Sequence, residues 1–173
     1  MIPIHFRFFA FLILLSFVWG CSEKLPDGIP PLHPCRIVIT QDGKPLEGAS
    51  LQLYSTGGSK WHSSGTTDSS GAADIVTQGQ YRGVPEGTYK ITVQKEEVIS
   101  LATPEELAAI EKAKAENPQW FDAPRIKQEH WQLVEKEYTL ENSTSLEITI
   151  SQGKNSETFD VGKAVREKIA TAE

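Results

Sequence analysis

Hydroxyl, imidazole and carboxylate side chains are all present in this sequence, but not in spacings that predict catalysis. A serine nucleophile on a sharp strand-to-helix turn would follow the G-x-S-x-G pattern, which does not occur. The zinc-hydrolase pattern H-E-x-x-H does not occur either. Scattered carboxylates along strands and a helix are typical of a solvated surface. We therefore predict no catalytic residues and no enzyme activity.

Two local groups of side chains resemble fragments of metal sites. His33 and Cys35 lie two positions apart, but two ligands do not complete a zinc site. Asp68-Ser69-Ser70-Gly71 offers one carboxylate, whereas a calcium loop needs several oxygen ligands. The sequence therefore predicts no metal and no cofactor. Cys35 begins an apolar run and is expected to be a small buried residue.

Aromatic residues are concentrated in or near segments expected to be loops. They are Trp61 beside His62, Trp120 beside Phe121, and Trp131 beside His130. Exposed indole faces can bind sugars or partner surfaces, whereas buried ones would cap the domain and each bury ~150–250 Å². We favour the role in which they cap the domain. Trp61, Trp120 and Trp131 nevertheless stay candidate ligand contacts.

The charge balance excludes one class of partner. The chain has 17 Lys and Arg against 23 Asp and Glu, for a net charge of −6 at pH 7. Nucleic-acid binders need a basic patch, and no local cluster of cations supplies one. We therefore predict no nucleic-acid partner.

The N-terminus carries an apolar run, Phe8 to Trp19, interrupted only by Ser16 and preceded by Arg7. As a helix rising ~1.5 Å per residue it would be too short to cross a bilayer core of ~30 Å. Residues 1–20 are therefore predicted to be a secretory signal peptide.

Val18-Trp19-Gly20-Cys21 resembles the lipobox of bacterial lipoproteins. The resemblance implies that the Cys21 thiol is alkylated with diacylglycerol and that the chain is cut before it. Acyl chains would then hold the protein on the periplasmic or outer face of an envelope membrane. The alternative is an ordinary signal peptide, or an uncleaved anchor, with an incidental cysteine. A lipidated Cys21 leaves Cys35 without a disulfide partner.

Residues 21–34 are predicted to be a tether, the lipidated cysteine followed by a proline-rich spacer. Four prolines between Ser22 and Pro34 block a helix and central-strand pairing. At ~3.1 Å per residue the spacer could hold the domain roughly 40 Å from the membrane.

From Cys35 onward the pattern is that of short strands. "ASLQLYS", "TYKITVQ" and "SLEITI" alternate apolar with polar residues, and "ETFDV" reads as the closing strand. Glycine, proline and aspartate turns separate them, which indicates an antiparallel sandwich or barrel with one buried face.

The same region resembles the carboxypeptidase-regulatory-like, or transthyretin-like, β-sandwich. The matching residues are Asp42, Gly43, Pro45, Leu46, Gly48, Ala49, Thr67, Asp68, Gly71, Gly83, Pro85, Gly87 and Tyr89, followed by Tyr138, Thr144, Ser145, Leu146, Gly153, Asn155, Phe159 and Asp160. The resemblance implies a mainly β, antiparallel sandwich over residues 35–161. It implies little about activity, since such modules serve many roles.

A helical insertion is predicted at about 98–137. Thr103 is the expected N-cap, Pro104 the first helical residue and Glu106 the partner in a capping box, and Asn117-Pro118 should end the helix. Leu107 and Ile110 form its apolar stripe. Residues 162–173 are predicted to be a tail or a short helix.

The sequence thus favours a non-catalytic envelope lipoprotein acting as an interaction or structural module. Its predicted partners are a membrane, through Cys21, and an envelope protein or polysaccharide. One alternative is a carbohydrate-binding module that uses the loop aromatics, and another is a hydrolase with an unrecognised site. Tryptophans clustered on one exposed face would favour the first alternative. A cleft with a buried His62 or His130 beside a carboxylate would favour the second.

Overall fold

A computed structural model describes residues 25–117 and 126–169, and within them the chain is mainly β. The α-helix is α1 (Pro104–Glu116), and a 3₁₀-helix spans Lys136–Tyr138. The strands are β1 (Leu32–His33), β2 (Cys35–Gln41), β3 (Lys44–Pro45), β4 (Ser50–Ser55), β5 (Ser63–Thr66), β6 (Ala72–Asp74), β7 (Val76–Thr77), β8 (Tyr81–Arg82), β9 (Val84–Pro85), β10 (Gly87–Gln94), β11 (Glu96–Ser100), β12 (Gln128–Gln132), β13 (Glu147–Ile150), β14 (Asn155–Asp160) and β15 (Glu167–Lys168).

The larger sheet of the sandwich is antiparallel, with strand order β13-β10-β4-β5-β7-β8. Its centre is the β4–β10 pair, in which Leu53 lies opposite Ile91 and Leu51 opposite Val93. The alternation predicted for these segments is confirmed, because all four side chains are buried. Period-2 burial of this kind leaves the other face to solvent.

The second sheet has the order β14-β2-β3, and β6 also pairs with β2. β14 runs parallel to β2, from Asn155 opposite Cys35 to Asp160 opposite Thr40. The closing strand predicted at "ETFDV" therefore exists, but it departs from the antiparallel pattern of the other pairs. Parallel pairing needs a crossover connection, and nearly the whole domain lies between these two strands.

One apolar core joins the two sheets. Ile37 and Ile39 from β2 belong to the same buried cluster as Leu51, Ile91 and other residues of the larger sheet. Tyr89 is fully buried, and its hydroxyl donates a hydrogen bond to the Pro85 carbonyl at 3.0 Å. That bond satisfies the one polar atom the tyrosine brings into the core.

The turns between strands are held by side-chain hydrogen bonds that their sequence predicts. Asp68 accepts hydrogen bonds from Ser70 Oγ at 2.6 Å and from the Ala72 backbone N–H at 3.1 Å. Gly71 has φ of +75°, and a Cβ there would lie 2.5 Å from the Ile39 carbonyl oxygen. The predicted turn Asp68–Gly71 is therefore confirmed, and its glycine is needed for both conformation and space.

The insertion between β10 and β13 is only partly helical. Helix α1 begins as predicted, with Thr103 and Glu106 completing a capping box, and its C-cap is Asn117. However, β11 and β12 pair as strands and join β15 in a small three-stranded sheet, which the helical prediction for 98–137 missed. The predicted apolar stripe is confirmed at one of its two residues. Ile110 is buried, at 7% exposed, whereas Leu107 is 42% exposed.

Both ends of the domain differ from the prediction. The tether was expected to stop before Cys35, but Leu32 and His33 pair with Pro85 and Val84 as a short edge strand. At the other end, residues 162–169 contribute the strand β15 rather than the predicted tail or short helix. Prolines on either side of β1 permit this because an edge strand loses few hydrogen bonds to them.

Several predictions fall outside the described residues. They are the signal peptide at 1–20, the lipid attachment site Cys21, the candidate contact Trp120 and the last residues, 170–173. Within the described ranges, no helix combines the length and the apolar character needed to cross a membrane.

Candidate ligand-binding groove

Three separate parts of the chain meet at one end of the sandwich and form an open groove. They are the tether end before β1, the loop between β4 and β5, and the β9–β10 turn, with Gln152 at the margin. The groove encloses about 500 Å³ and is called the Trp61 groove below. That volume lies within the ~300–1,000 Å³ typical of small-molecule sites.

The apolar part of the Trp61 groove comes from Trp61 and from Pro30, Pro31 and Pro85. Trp61 is half-buried, and the ammonium of Lys60 lies 5.0 Å from the centre of its ring. This cation–π contact helps to hold the indole in place. The groove therefore offers a flat aromatic surface beside rigid proline rings.

The loop that carries Trp61 is tied to the sheet at its start. The Thr56 hydroxyl and backbone N–H both donate to the Thr88 carbonyl at 3.0 Å. Gly58 has φ of +74°, and the Trp61 backbone N–H donates to Ser59 Oγ at 3.3 Å. The loop thus has defined turn geometry that positions its aromatic residue.

Polar groups line the remaining part of the Trp61 groove. They are His33, Ser59, Lys60, Glu86 and Gln152. These side chains together supply hydroxyl, ammonium, carboxylate and amide groups, so both hydrogen-bond donors and acceptors face the groove.

Both ring nitrogens of His33 are engaged by the protein. His33 Nδ1 accepts a hydrogen bond from the Gly153 backbone N–H at 3.3 Å, and Nε2 lies 3.3 Å from Glu86 Oε1. A catalytic histidine needs one nitrogen directed at the nucleophile while the other is oriented by a carboxylate. Neither nitrogen of His33 is directed at Ser59, so this arrangement holds β1 in place rather than activating the serine.

A second groove of about 580 Å³ is lined by the start of β2, by residues 74–76 and 82–83, and by residues 154–156. Arg36 lines it and pairs with Asp74 at 3.0 Å, and Arg82 and Lys154 add two further cations. Cys35 also lines this groove. Burial, with a smaller effect from Asp74, raises the pKa of its thiol to about 11. Cys35 is thus a buried neutral thiol, as the sequence predicted.

Trp131, the other candidate in the described residues, does not line the Trp61 groove. Trp131 lies in β12, where the guanidinium of Arg166 stacks 4.2 Å from its ring centre. Its neighbour Glu129 has a lowered pKa, chiefly because Lys168 donates a hydrogen bond to it at 2.8 Å. Trp61 and Trp131 therefore lie on different elements, and these two residues do not supply the clustered tryptophans that would have favoured a carbohydrate-binding module.

The histidines singled out in the sequence are not placed in a buried cleft. His62 is exposed. His130 Nδ1 lies 3.7 Å from Glu96 Oε2, but its side chain is 30% exposed on the small sheet. In the part of the chain that the structure covers, no group of three or more His, Cys, Asp or Glu residues could hold a metal ion.

Sequence reasoning found Trp61 but missed the residues around it. In the sequence, Pro30 and Pro31 indicate only a spacer, and His33 resembles only a fragment of a metal site. Glu86 and Gln152 carry no motif of their own. The contact between His33 and Gly153 spans 120 positions, so no local pattern could have revealed it.

Comparisons with known proteins leave the chain without an assigned family. It matches no protein-family model and no curated protein. Among solved structures, a 9R-lipoxygenase from Cyanothece PCC8801 aligns at 14% identity with a TM-score of 0.30. The alignment covers 82% of this chain and 18% of the lipoxygenase. A TM-score this low carries no argument about fold or activity.

Proposed function

We propose that this protein is a membrane-anchored lipoprotein of the bacterial cell envelope, and that its β-sandwich is a non-catalytic binding module. One observation carries the proposal: the Trp61 groove is built partly from the segment that directly follows the lipobox. The proposed anchor is thus continuous in the chain with one wall of the groove, whose other walls come from distant segments.

The position of the groove sets its greatest distance from the membrane. Pro30 follows Cys21 by nine residues. A fully extended chain spans at most ~3.3–3.6 Å per residue, so the groove lies within about 30 Å of the anchor. This is shorter than the reach of the whole predicted spacer, because β1 is part of the domain. Ligands within that distance of the bilayer are the natural candidates.

The chemistry of the lining supports binding rather than hydrolysis. Trp61 and the prolines provide surface for stacking, and the groove is open rather than enclosed. His33 uses both nitrogens to hold β1 against Gly153 and Glu86. The resemblance to the carboxypeptidase-regulatory-like sandwich fits the same role, because modules of that kind commonly serve as supports for sites.

The anchor is tested by labelling cells with a radioactive fatty acid. We expect the wild-type chain to incorporate label and Cys21→Ala to incorporate none, because the thiol is the only group suited to the lipid transfer. Cys35→Ala is the matched control and should label as the wild type does. Equal labelling of Cys21→Ala and the wild type would overturn the lipoprotein assignment.

The binding role is tested with a photo-reactive residue introduced in cells. Placed at Gln152, on the margin of the groove, it should give adducts with an envelope component. Placed at Glu141, an exposed residue that does not line the groove, it should not. Equal adducts at both positions, or none at Gln152, would contradict a binding module centred on this groove.

A further inference from the structure

The lining of the Trp61 groove also indicates what class of ligand it binds. We propose that the Trp61 groove binds pyranose units of an envelope polysaccharide, with Trp61 as the stacking platform. The proposal rests on the binding role given above but assigns that role to one groove and one ligand chemistry.

The match begins with the two-sided nature of a sugar ring. A pyranose has apolar C–H faces and a rim of hydroxyl groups, so its binding site needs a flat apolar surface bordered by hydrogen-bonding groups. Trp61, beside three prolines, supplies the surface. An indole is rigid and large, and its negative π face attracts C–H groups that carry a partial positive charge.

The border of the groove can satisfy sugar hydroxyls in both directions. Lys60 and the Gln152 amide donate hydrogen bonds, and Glu86 accepts them. Gln152 is exposed and can adjust to hydroxyls of differing orientation. The Lys60 ammonium lies 5.0 Å from the Trp61 ring centre, and Glu86 keeps one carboxylate oxygen beyond the one that faces His33. The open form of the groove also leaves room for a sugar unit that is part of a longer polymer.

Other occupants fit less well. A peptide added as a strand would need backbone donors along the groove, but Pro30, Pro31 and Pro85 have no N–H. An anionic headgroup would face Glu86 as well as Lys60, so the local charge favours neither a phosphate nor another strong anion. A neutral glycan needs neither backbone pairing nor a net positive site.

Of the candidate tryptophans in the described residues, Trp61 is the one that lines the groove. Trp131 stacks against Arg166 on the small sheet and does not line the groove. Binding by Trp61 alone would be modest for a single sugar ring, but a lipid-anchored population on one membrane would engage a polymer at many points. Multivalent engagement of that kind raises the avidity for the polymer without any new contact in the groove.

The test uses the full chain purified in a detergent without a sugar headgroup, since a maltoside or glucoside would itself compete. Isothermal titration calorimetry is run with chitohexaose, cellohexaose, xylohexaose and mannohexaose. We expect binding of at least one of these. Trp61→Ala should raise its Kd by about tenfold or more, while Trp61→Phe should weaken it less.

Controls separate the groove from the fold and from the other tryptophan. Gln152→Ala changes an exposed groove residue and should weaken binding without lowering the Tm. Trp131→Ala should leave the Kd unchanged. Absence of binding to every hexasaccharide, or binding that Trp61→Ala does not weaken, would overturn the sugar site. Fatty-acid labelling through Cys21 would be unaffected by that result, so failure of the sugar site and failure of the lipoprotein proposal are distinguishable.

Discussion

His33 Nε2 lies 3.3 Å from Glu86 Oε1, and this contact joins the end of the proline-rich segment to the β9–β10 turn. The pair sits where β1 meets β9, on the rim of the Trp61 groove. Only 13% of the His33 side chain is exposed, whereas Glu86 is 60% exposed. The segment that leads to Cys21 is thus held on the sandwich by specific contacts, which the following prediction tests.

Attachment of β1 depends on close backbone approach at Gly83. A Cβ at this position would lie 2.7 Å from the His33 carbonyl oxygen, and φ is +103°. Gly83→Ala should therefore detach β1 and increase protease cleavage within residues 25–34. Limited proteolysis followed by mass spectrometry measures the cleavage rate. Gly79→Ala is the matched control, because φ is +72° there but no atom lies within 4 Å of the added Cβ. Equal cleavage in both variants would contradict the docking of β1.

The turn into the larger sheet depends on the Thr67 hydroxyl. Thr67 Oγ1 donates to the Leu46 carbonyl at 2.5 Å and accepts from the Ala49 backbone N–H at 2.8 Å. Thr67→Val keeps the shape but leaves both partners unsatisfied in a buried site, which should cost ~1–3 kcal/mol in the free energy of unfolding. Urea denaturation measures it. Thr66→Val, at the exposed neighbouring position, should change stability by less than ~0.5 kcal/mol. Similar losses at both positions would show that the hydroxyl contacts contribute little.

Helix α1 should depend on one of its two large apolar residues. Ile110 is 7% exposed and Leu107 is 42% exposed. Ile110→Ala should lower the free energy of unfolding by ~2 kcal/mol, the lower end for a buried isoleucine, because it lies outside the main core cluster. Leu107→Ala should stay within ~0.5 kcal/mol of the wild type. Thermal melting of both variants checks this, and a larger loss for Leu107→Ala would mean that the exposed position carries the packing.

The pKa of the Asp68 carboxyl should depend chiefly on the hydrogen bond that it accepts from the Ser70 side chain. The hydroxyl of Ser70, the backbone N–H groups of Ala72 and Ser70, and finally Arg36 lower the pKa of Asp68 from its ordinary value of 3.8. Because the folded pKa is depressed, the turn contributes stability above the ordinary value, and that contribution is lost as the pH falls through the folded pKa. Ser70→Ala should move the pKa of Asp68 back upward, as seen by NMR titration of its carboxyl carbon. Ser69→Ala, in the same turn, is the control. An unchanged Asp68 titration in Ser70→Ala would rule out the hydroxyl as the main cause.

The two cysteines should differ in reactivity. Burial raises the pKa of Cys35 to about 11, so its thiolate is scarce at neutral pH. A Cys21 thioether has no thiol at all. The mature folded protein should therefore not react with a maleimide at pH 7, and denaturation should release one thiol. Two reactive thiols in the denatured protein would show that Cys21 is not modified. Labelling of Cys35 in the folded state, located by peptide mass spectrometry, would show that Cys35 is accessible.

The local features of the fold could be predicted from the sequence because their causes lie within a few residues. Leu51 and Leu53 alternate with polar neighbours, and their burial follows from the two-residue period of a strand. The capping box of Thr103 and Glu106 closes within one turn of helix. Residues of this kind set which segments are strands, where turns occur and where α1 begins.

The tertiary structure alone decided which segments meet. The parallel pairing of Phe159 with Ile39, and the approach of His33 to Gly153, depend on free energies shared across the whole core. The strands β11 and β12 stabilise one another by pairing across the insertion, which the helical pattern of α1 obscured. Trp61 could be identified from the sequence as an aromatic loop residue, but the groove around it could not be predicted. A groove consists of surfaces from distant segments, and no short-range hydrogen bond or periodicity encodes their meeting.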